Sequence, residues 1–123
     1  MNPDIKKALD SDRIIDITTI GRKSGNPHRI EIGFYYQDGD LFITGMPPRK
    51  RDWYANLVSN PDFTFHLKQS FQADLLARAE PIVAEDARRR IFANILKRWN
   101  REQDLDLWVE SSPLVEITFV NGA

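Results

Sequence analysis

IIDITTIGRKSGNPHRIEIGFYY, residues 14–36, decides the fold. Its first seven residues, Ile14 to Ile20, are rich in Ile and Thr, which suit a pleated, half-buried strand. Gly21 to Pro27 gathers glycine, serine, asparagine and proline, so it reads as a connecting loop. From His28 to Tyr36 the chain alternates, with Ile30, Ile32, Phe34 and Tyr36 on one face of a second strand. Asp38-Gly39 is a hairpin turn signal, and Leu41 to Thr44 forms the next strand. The opening is therefore an antiparallel meander.

The same reasoning extends outward. Asn2-Pro3 starts a short N-terminal helix through DIKKALD. Pro47-Pro48 blocks both helix and ladder, leaving residues 45–51 as a loop. Asp52 is placed to N-cap a helix from Trp53 that Asn60-Pro61 stops. Phe63 to Leu67 and Phe71 to Ala79 alternate as strands. Ala84 to Arg101 is the strongest helix, with Ile91, Ile95 and Trp99 on one stripe and Phe92 and Leu96 beside it. Arg88 falls on that stripe, where its stem can lie along apolar surface while its head reaches water. Pro113 opens the last strand. The sum is six strands, one long helix and two short ones. Strands joined by short turns, with helices inserted late, predict a mostly β, closed or half-open antiparallel barrel. The 123 residues suit one domain, 1–123.

Composition removes several kinds of chemistry. The chain has no cysteine and only two histidines, which excludes disulfides and thiolate sites and argues against a multi-histidine metal site. His66, within FTFHL, reads as a barrel-wall residue. No nucleotide-binding glycine motif, Walker motif, H-E-x-x-H or G-x-S-x-G occurs. Chemistry carried by a bound organic cofactor fits that silence. No apolar run reaches a membrane span's length and the N-terminus is charged, so the expectation is a cytoplasmic protein.

Charge is unevenly distributed. Windows 17–30 and 41–51 hold Arg22, Lys23, Arg29, Arg49, Lys50 and Arg51 but no acid, whereas the rest carries all 18 Asp and Glu. Two basic windows on an acidic body point to a local anion site and away from nucleic acid. In the first window, Gly21 and Gly25 permit close backbone approach, while Arg22, Lys23 and Ser24 supply charge and a hydroxyl. The second leads into a helix N-terminus, where free amides and the dipole favour an anion. Arg49 and Arg51 can close over it, and Trp53 and Tyr54 offer aromatic faces. Trp53 and Leu57 also serve a plainer purpose, anchoring the helix to the barrel.

Together, ITTIGRKSGNPHRIEIGF and DWYANLVSNPDFTFHL resemble the deazaflavin-dependent nitroreductase family, which carries a G-R-K-S-G-x-P strand entry and a W-Y-x-N-L-x-x-N-P helix. The likeness covers residues 15–67, and SPLVEITFV is also similar. It implies a split β-barrel binding coenzyme F-420, with FMN as the alternative, and reduction of a quinone, nitro compound or other small conjugated acceptor. By position it implies that Arg22, Lys23 and Ser24 face the cofactor's phosphate and acidic tail. Thr44, Gly45 and Met46 would cradle the phosphate and ring, and Trp53, Asn56 and Leu57 would lie beside it. His28 follows the motif proline and joins the expected contacts, whereas Arg29 faces the other way by strand alternation. No tyrosine follows Tyr54, so a proton would come from solvent or from Tyr54, His28 or Tyr36, and no catalytic residue is assigned. A non-catalytic cofactor-binding protein and a small interaction domain whose basic loops dock an acidic protein are the remaining alternatives. Split barrels often dimerise, so a homodimer is a further expectation.

Overall fold

The computed structural model describes residues 1–48 and 51–120. Helix α1 (Pro3–Ser11) is capped by Asn2, whose side-chain oxygen accepts from the amides of Asp4 and Ile5 at 2.7 and 3.4 Å. There follow β1 (Ile14–Ile20), β2 (Pro27–Gly33), β3 (Tyr35–Gln37), β4 (Asp40–Thr44), α2 (Asp52–Ser59), β5 (Asp62–Leu67), β6 (Ala73–Pro81) and α3 (Glu85–Arg98). A single 3-10 turn, Glu102–Asp104, leads into α4 (Leu105–Ser111), and β7 (Leu114–Phe119) ends the fold.

All seven strands form one antiparallel sheet in the order β2-β1-β5-β6-β7-β4-β3. Its two edge strands, β2 and β3, are separated in sequence by Phe34 alone. One residue spans only a few ångströms, so the two edges must meet and the sheet must curl. The result is the expected β-rich, curled half-barrel.

The single strand expected over 28–36 is two. β2 pairs with β1 and β3 pairs with β4, so six strands become seven. The alternation survives the break, since Ile32, Phe34 and Tyr36 all pack on the barrel interior. Ile30 does not; it is 37% exposed at the mouth.

The interior is filled by alternate residues, among them Ile15, Ile17, Phe65, Ala77 and Ile117. α1 adds Ile5, Ala8 and Leu9, and α2 adds Trp53 and Leu57. A second apolar layer joins Phe92, Ile95 and Leu96 of α3 and Trp108 and Val109 of α4 to Tyr35, Phe42 and Leu114 of the sheet. Helix α4 is an addition to the expected three, and α3 stops short of Arg101, at Arg98.

Arg88 explains how α4 is held. Its guanidinium turns inward and donates to the carbonyls of Val109 and Ile82 at 2.8 Å, of Trp108 at 3.3 Å and of Ser112. A cation at a helix C-terminus satisfies carbonyls that lack helical partners. The head of Arg88 is therefore anchored among backbone oxygens and does not simply reach for water. His66 lies in the barrel wall as expected, buried between Thr18 and Asp74, each 2.7 Å from one ring nitrogen.

Candidate cofactor cleft

The first basic loop is built by its own backbone. The Gly21 amide donates to Asn26 O and the Gly25 amide to Gly21 O, both at 2.8 Å. The Asn26 amide donates to Ser24 Oγ at 3.1 Å, and Gly25 has φ +72°, which glycine adopts without strain. Gly21 is required for a different reason. A Cβ there would stand 2.6 Å from both His28 Nε2 and Ser24 Oγ, so both side chains fold over bare backbone.

Asn56 ties this loop to α2. It is buried, and its Oδ1 accepts from the Arg22 amide at 3.1 Å and from Arg22 Nη1 at 2.9 Å. Its Nδ2 donates to the buried Thr19 Oγ1 at 3.2 Å. The other guanidinium nitrogen of Arg22 lies 3.3 Å from Asp52 Oδ1. Asn56 thus fixes the loop from within, and it also lines the cavity beside that loop.

The second loop approaches the same helix end. Arg51 is the N-cap of α2 and donates from Nη2 to Met46 O at 3.2 Å. Its guanidinium lies over Gly45, where a Cβ would meet Nε at 2.9 Å. Asp52 is the first helical residue, not the cap, because the helix begins one residue earlier than its sequence signal suggests. Its carboxylate still stands in the first turn, which the dipole favours. Arg49, also expected here, lies outside the described residues.

Two cavities flank Arg22 and Asp52. One, about 450 Å³, is lined by Lys23, Ser24, His28 and the edge of Trp53. The other, about 550 Å³, is lined by Pro48, Arg51, Tyr54, Arg88 and Pro113. Arg22 and Asp52 belong to both walls, so the two form one cleft with a divider. Its charged lining is Arg22, Lys23, Arg51 and Arg88 against Asp52 and Glu110, net positive. Burial holds the Arg88 guanidinium below its usual value.

Not every expected residue joins this cleft. Leu57 is wholly buried in the interior. Met46 is exposed. The Thr44 hydroxyl donates to Pro113 O, and the Thr44 side chain lines a separate cavity of about 260 Å³ that also holds Tyr36. Of the three proton-donor candidates, His28 and Tyr54 therefore face the cleft and Tyr36 does not. Arg29 leaves as alternation requires: its Nε sits 3.0 Å from Asp16 on the outer sheet face. There the Lys68 ammonium, with Arg29, holds the Asp16 carboxyl below its usual value.

The sequence pattern missed Arg88 and the 110–113 wall. The available signal was an arginine on an apolar stripe, a costly position unless its head is bonded.

The sequence model of the F420H(2)-dependent quinone reductases matches residues 2–117, nearly the whole chain. The chain belongs to that family. No curated protein matches its sequence. Solved structures share the family member's split-barrel fold. A conserved hypothetical protein from Mycobacterium tuberculosis aligns with a TM-score of 0.73 at 21% identity, covering 97% of this chain and 81% of that one. The haem storage protein HutZ from Vibrio cholerae aligns at 0.72 and 15% identity, covering 98% and 91%. A structure described as an F420-H2 dependent reductase aligns at 0.64 and 18% identity, covering 87% and 95%. At these identities the likeness is one of fold.

Among the described residues no cluster of His, Asp or Glu could hold a metal ion. Among the described residues no helix is long and apolar enough to cross a membrane.

Proposed function

We propose that this chain reduces a small, planar, conjugated acceptor of the quinone or nitro class, using reduced coenzyme F-420 held in the cleft. The observation that carries the proposal is the meeting of both basic windows at the start of α2. Arg22 arrives from one loop and Arg51 from the other, and each lines the same 550 Å³ cavity.

The residues fit such a group. Lys23 and Ser24 extend the positive lining beyond Arg22, as a phosphate bearing an acidic tail requires. The cofactor supplies a hydride equivalent when bound. The protein supplies placement. Asn56 fixes the Arg22 fork before any ligand arrives, which lowers the ordering cost of binding. Arg51 closes over Gly45, where no side chain interferes. The Tyr54 hydroxyl and His28 are the cleft groups able to hold a proton for the reduced acceptor.

The test is a parallel titration with oxidised F-420 and FMN, followed by tryptophan emission. Trp53 edges the cleft, whereas Trp99 and Trp108 pack on each other away from it. Saturable F-420 binding that Arg22→Ala/Lys23→Ala weakens by at least tenfold supports the proposal. Tighter FMN binding would replace the cofactor, and binding without turnover of any quinone or nitroaromatic would leave a cofactor-binding protein.

A further inference from the structure

Arg22 is held unequally at its two ends. The buried Asn56 takes the amide and Nη1 on its oxygen, while its nitrogen is tied to Thr19 and fixes the side-chain amide's orientation. The opposite nitrogen, Nη2, faces Asp52 at 3.3 Å. The Asp52 side chain is 91% exposed, and solvent-exposed pairs of this kind are weak and exchange readily. Asp52 also stands in the first turn of α2 and belongs to both halves of the cleft.

We propose that Asp52 is a resident anion that competes with the ligand for Arg22. This inference rests on the reading of the cleft as an anion-binding cofactor site. Carboxylate and phosphate oxygens compete for the same face of a guanidinium. In the free protein, Asp52 supplies that carboxylate and keeps both ends of the fork occupied. A ligand reaching Nη2 must displace it. A single carboxylate gains nothing by that exchange, since it replaces like with like. A group with several negative charges gains contacts to Lys23 and Arg51 as well, and displaces Asp52 at a profit. Asp52 thus sets a charge threshold on what the cleft accepts and speeds ligand release.

Glu110 provides the internal control. It lines the same cavity, yet no hydrogen bond or ion pair joins it to Arg22. A charge effect spread over the cavity lining would respond to Glu110 as well, whereas competition at Nη2 responds to Asp52 alone.

The experiment measures dissociation constants for F-420 by fluorescence and for inorganic pyrophosphate by thermal shift. The proteins are the unaltered chain, Asp52→Asn, Glu110→Gln, Arg22→Ala and Arg22→Ala/Asp52→Asn. Circular dichroism checks that α2 persists in each. Asp52→Asn should tighten both ligands about fivefold, the upper range for releasing one exposed ion pair. Glu110→Gln should change either by less than about twofold, and Asp52→Asn should add nothing once Arg22 is gone. An equal gain from Glu110→Gln, a gain that persists without Arg22, or weaker binding by Asp52→Asn overturns the inference. If F-420 fails to bind any variant while pyrophosphate shows the expected pattern, the cofactor reading falls and the competition stands. If F-420 binds but ignores Asp52, the reverse holds.

Discussion

Asn56→Ala should loosen the first basic loop without dismantling the barrel. The substitution removes one acceptor and one donor at a buried point. Thr19 Oγ1 loses its partner in a residue only 2% exposed, which costs roughly 1–3 kcal/mol. The Arg22 amide and guanidinium lose theirs at a partly exposed position, where water replaces much of the loss, so about 1 kcal/mol is added. The total is about 2–4 kcal/mol. For 123 residues the unfolding entropy near the midpoint is about 0.26 kcal/mol/K, so the melting temperature should fall by about 8–15 °C. Asn56→Asp separates the bonds. Its carboxylate still accepts from both Arg22 donors, and the Thr19 hydroxyl can turn to donate to it. That variant should lose less than half as much. Thermal unfolding gives the magnitude, and hydrogen exchange gives the location. Amide protection should drop at residues 21–26 while the β5-β6 pair keeps its own. A fall of under about 3 °C for Asn56→Ala with unchanged exchange in the loop, or an equal fall for Asn56→Asp, would refute the anchoring role.

Gly45→Ala places a methyl 2.9 Å from Arg51 Nε, so Arg51 must move; F-420 affinity should drop severalfold with little change in melting temperature, as titration and calorimetry can check. Gly21→Ala meets two side chains at 2.6 Å and should cost about 1–3 kcal/mol, read by chemical denaturation. Arg88→Met keeps the stem but takes the side-chain donor from the Ile82, Val109 and Ser112 carbonyls, while Trp108 O keeps the Ser112 amide; it should cost about 2–4 kcal/mol with faster proteolysis within residues 101–113. Burial, with Asp40 and Glu80 nearby, raises the Glu116 carboxyl above its ordinary 4.5. A raised folded value favours the protonated form, so stability falls as pH rises through it. Glu116→Gln should therefore raise the melting temperature near pH 7, and a denaturation series should show that gain vanish near pH 4.

What could be read from the chain was what local alternation and turn chemistry encode. The β1-β2 hairpin, the basic loop between its strands and the helix before Asn60-Pro61 all carry their signal within a few residues. Arg29 was placed on the outer face by alternation alone. The break at Phe34 had no such signal, because the period-2 pattern runs straight through it and only the pairing partner changes. Helix α4 was hidden for a related reason. Its seven residues carry weak propensity, and the side chain that gathers its final carbonyls lies 20–24 positions earlier, in α3. Asn56 was found as a site residue, but its orientation depends on where Thr19 and Arg22 lie across the sheet. No spacing within DWYANL could show that the amide turns inward.

The hidden break is also what assembles the cleft. Arg22 and Arg51 belong to different loops, and neither loop reaches the other through sequence-local contacts. Phe34 lets a single run of chain pair first with β1 and then with β4, so β4 must lie beside the end of β2. The segment after β4 then carries Arg51 and α2 back across the barrel end, where Asn56 meets Arg22. Closure brings the loops into reach, and one buried amide fixes their register. Each step uses groups that ordinary folding must satisfy anyway: sheet edges that need pairing and a buried threonine that needs a partner. The positive cleft is consequently pinned by buried bonds on the Asn56 side and by one exposed ion pair on the Asp52 side. The uptake and release of a charged cofactor proposed above would draw on both.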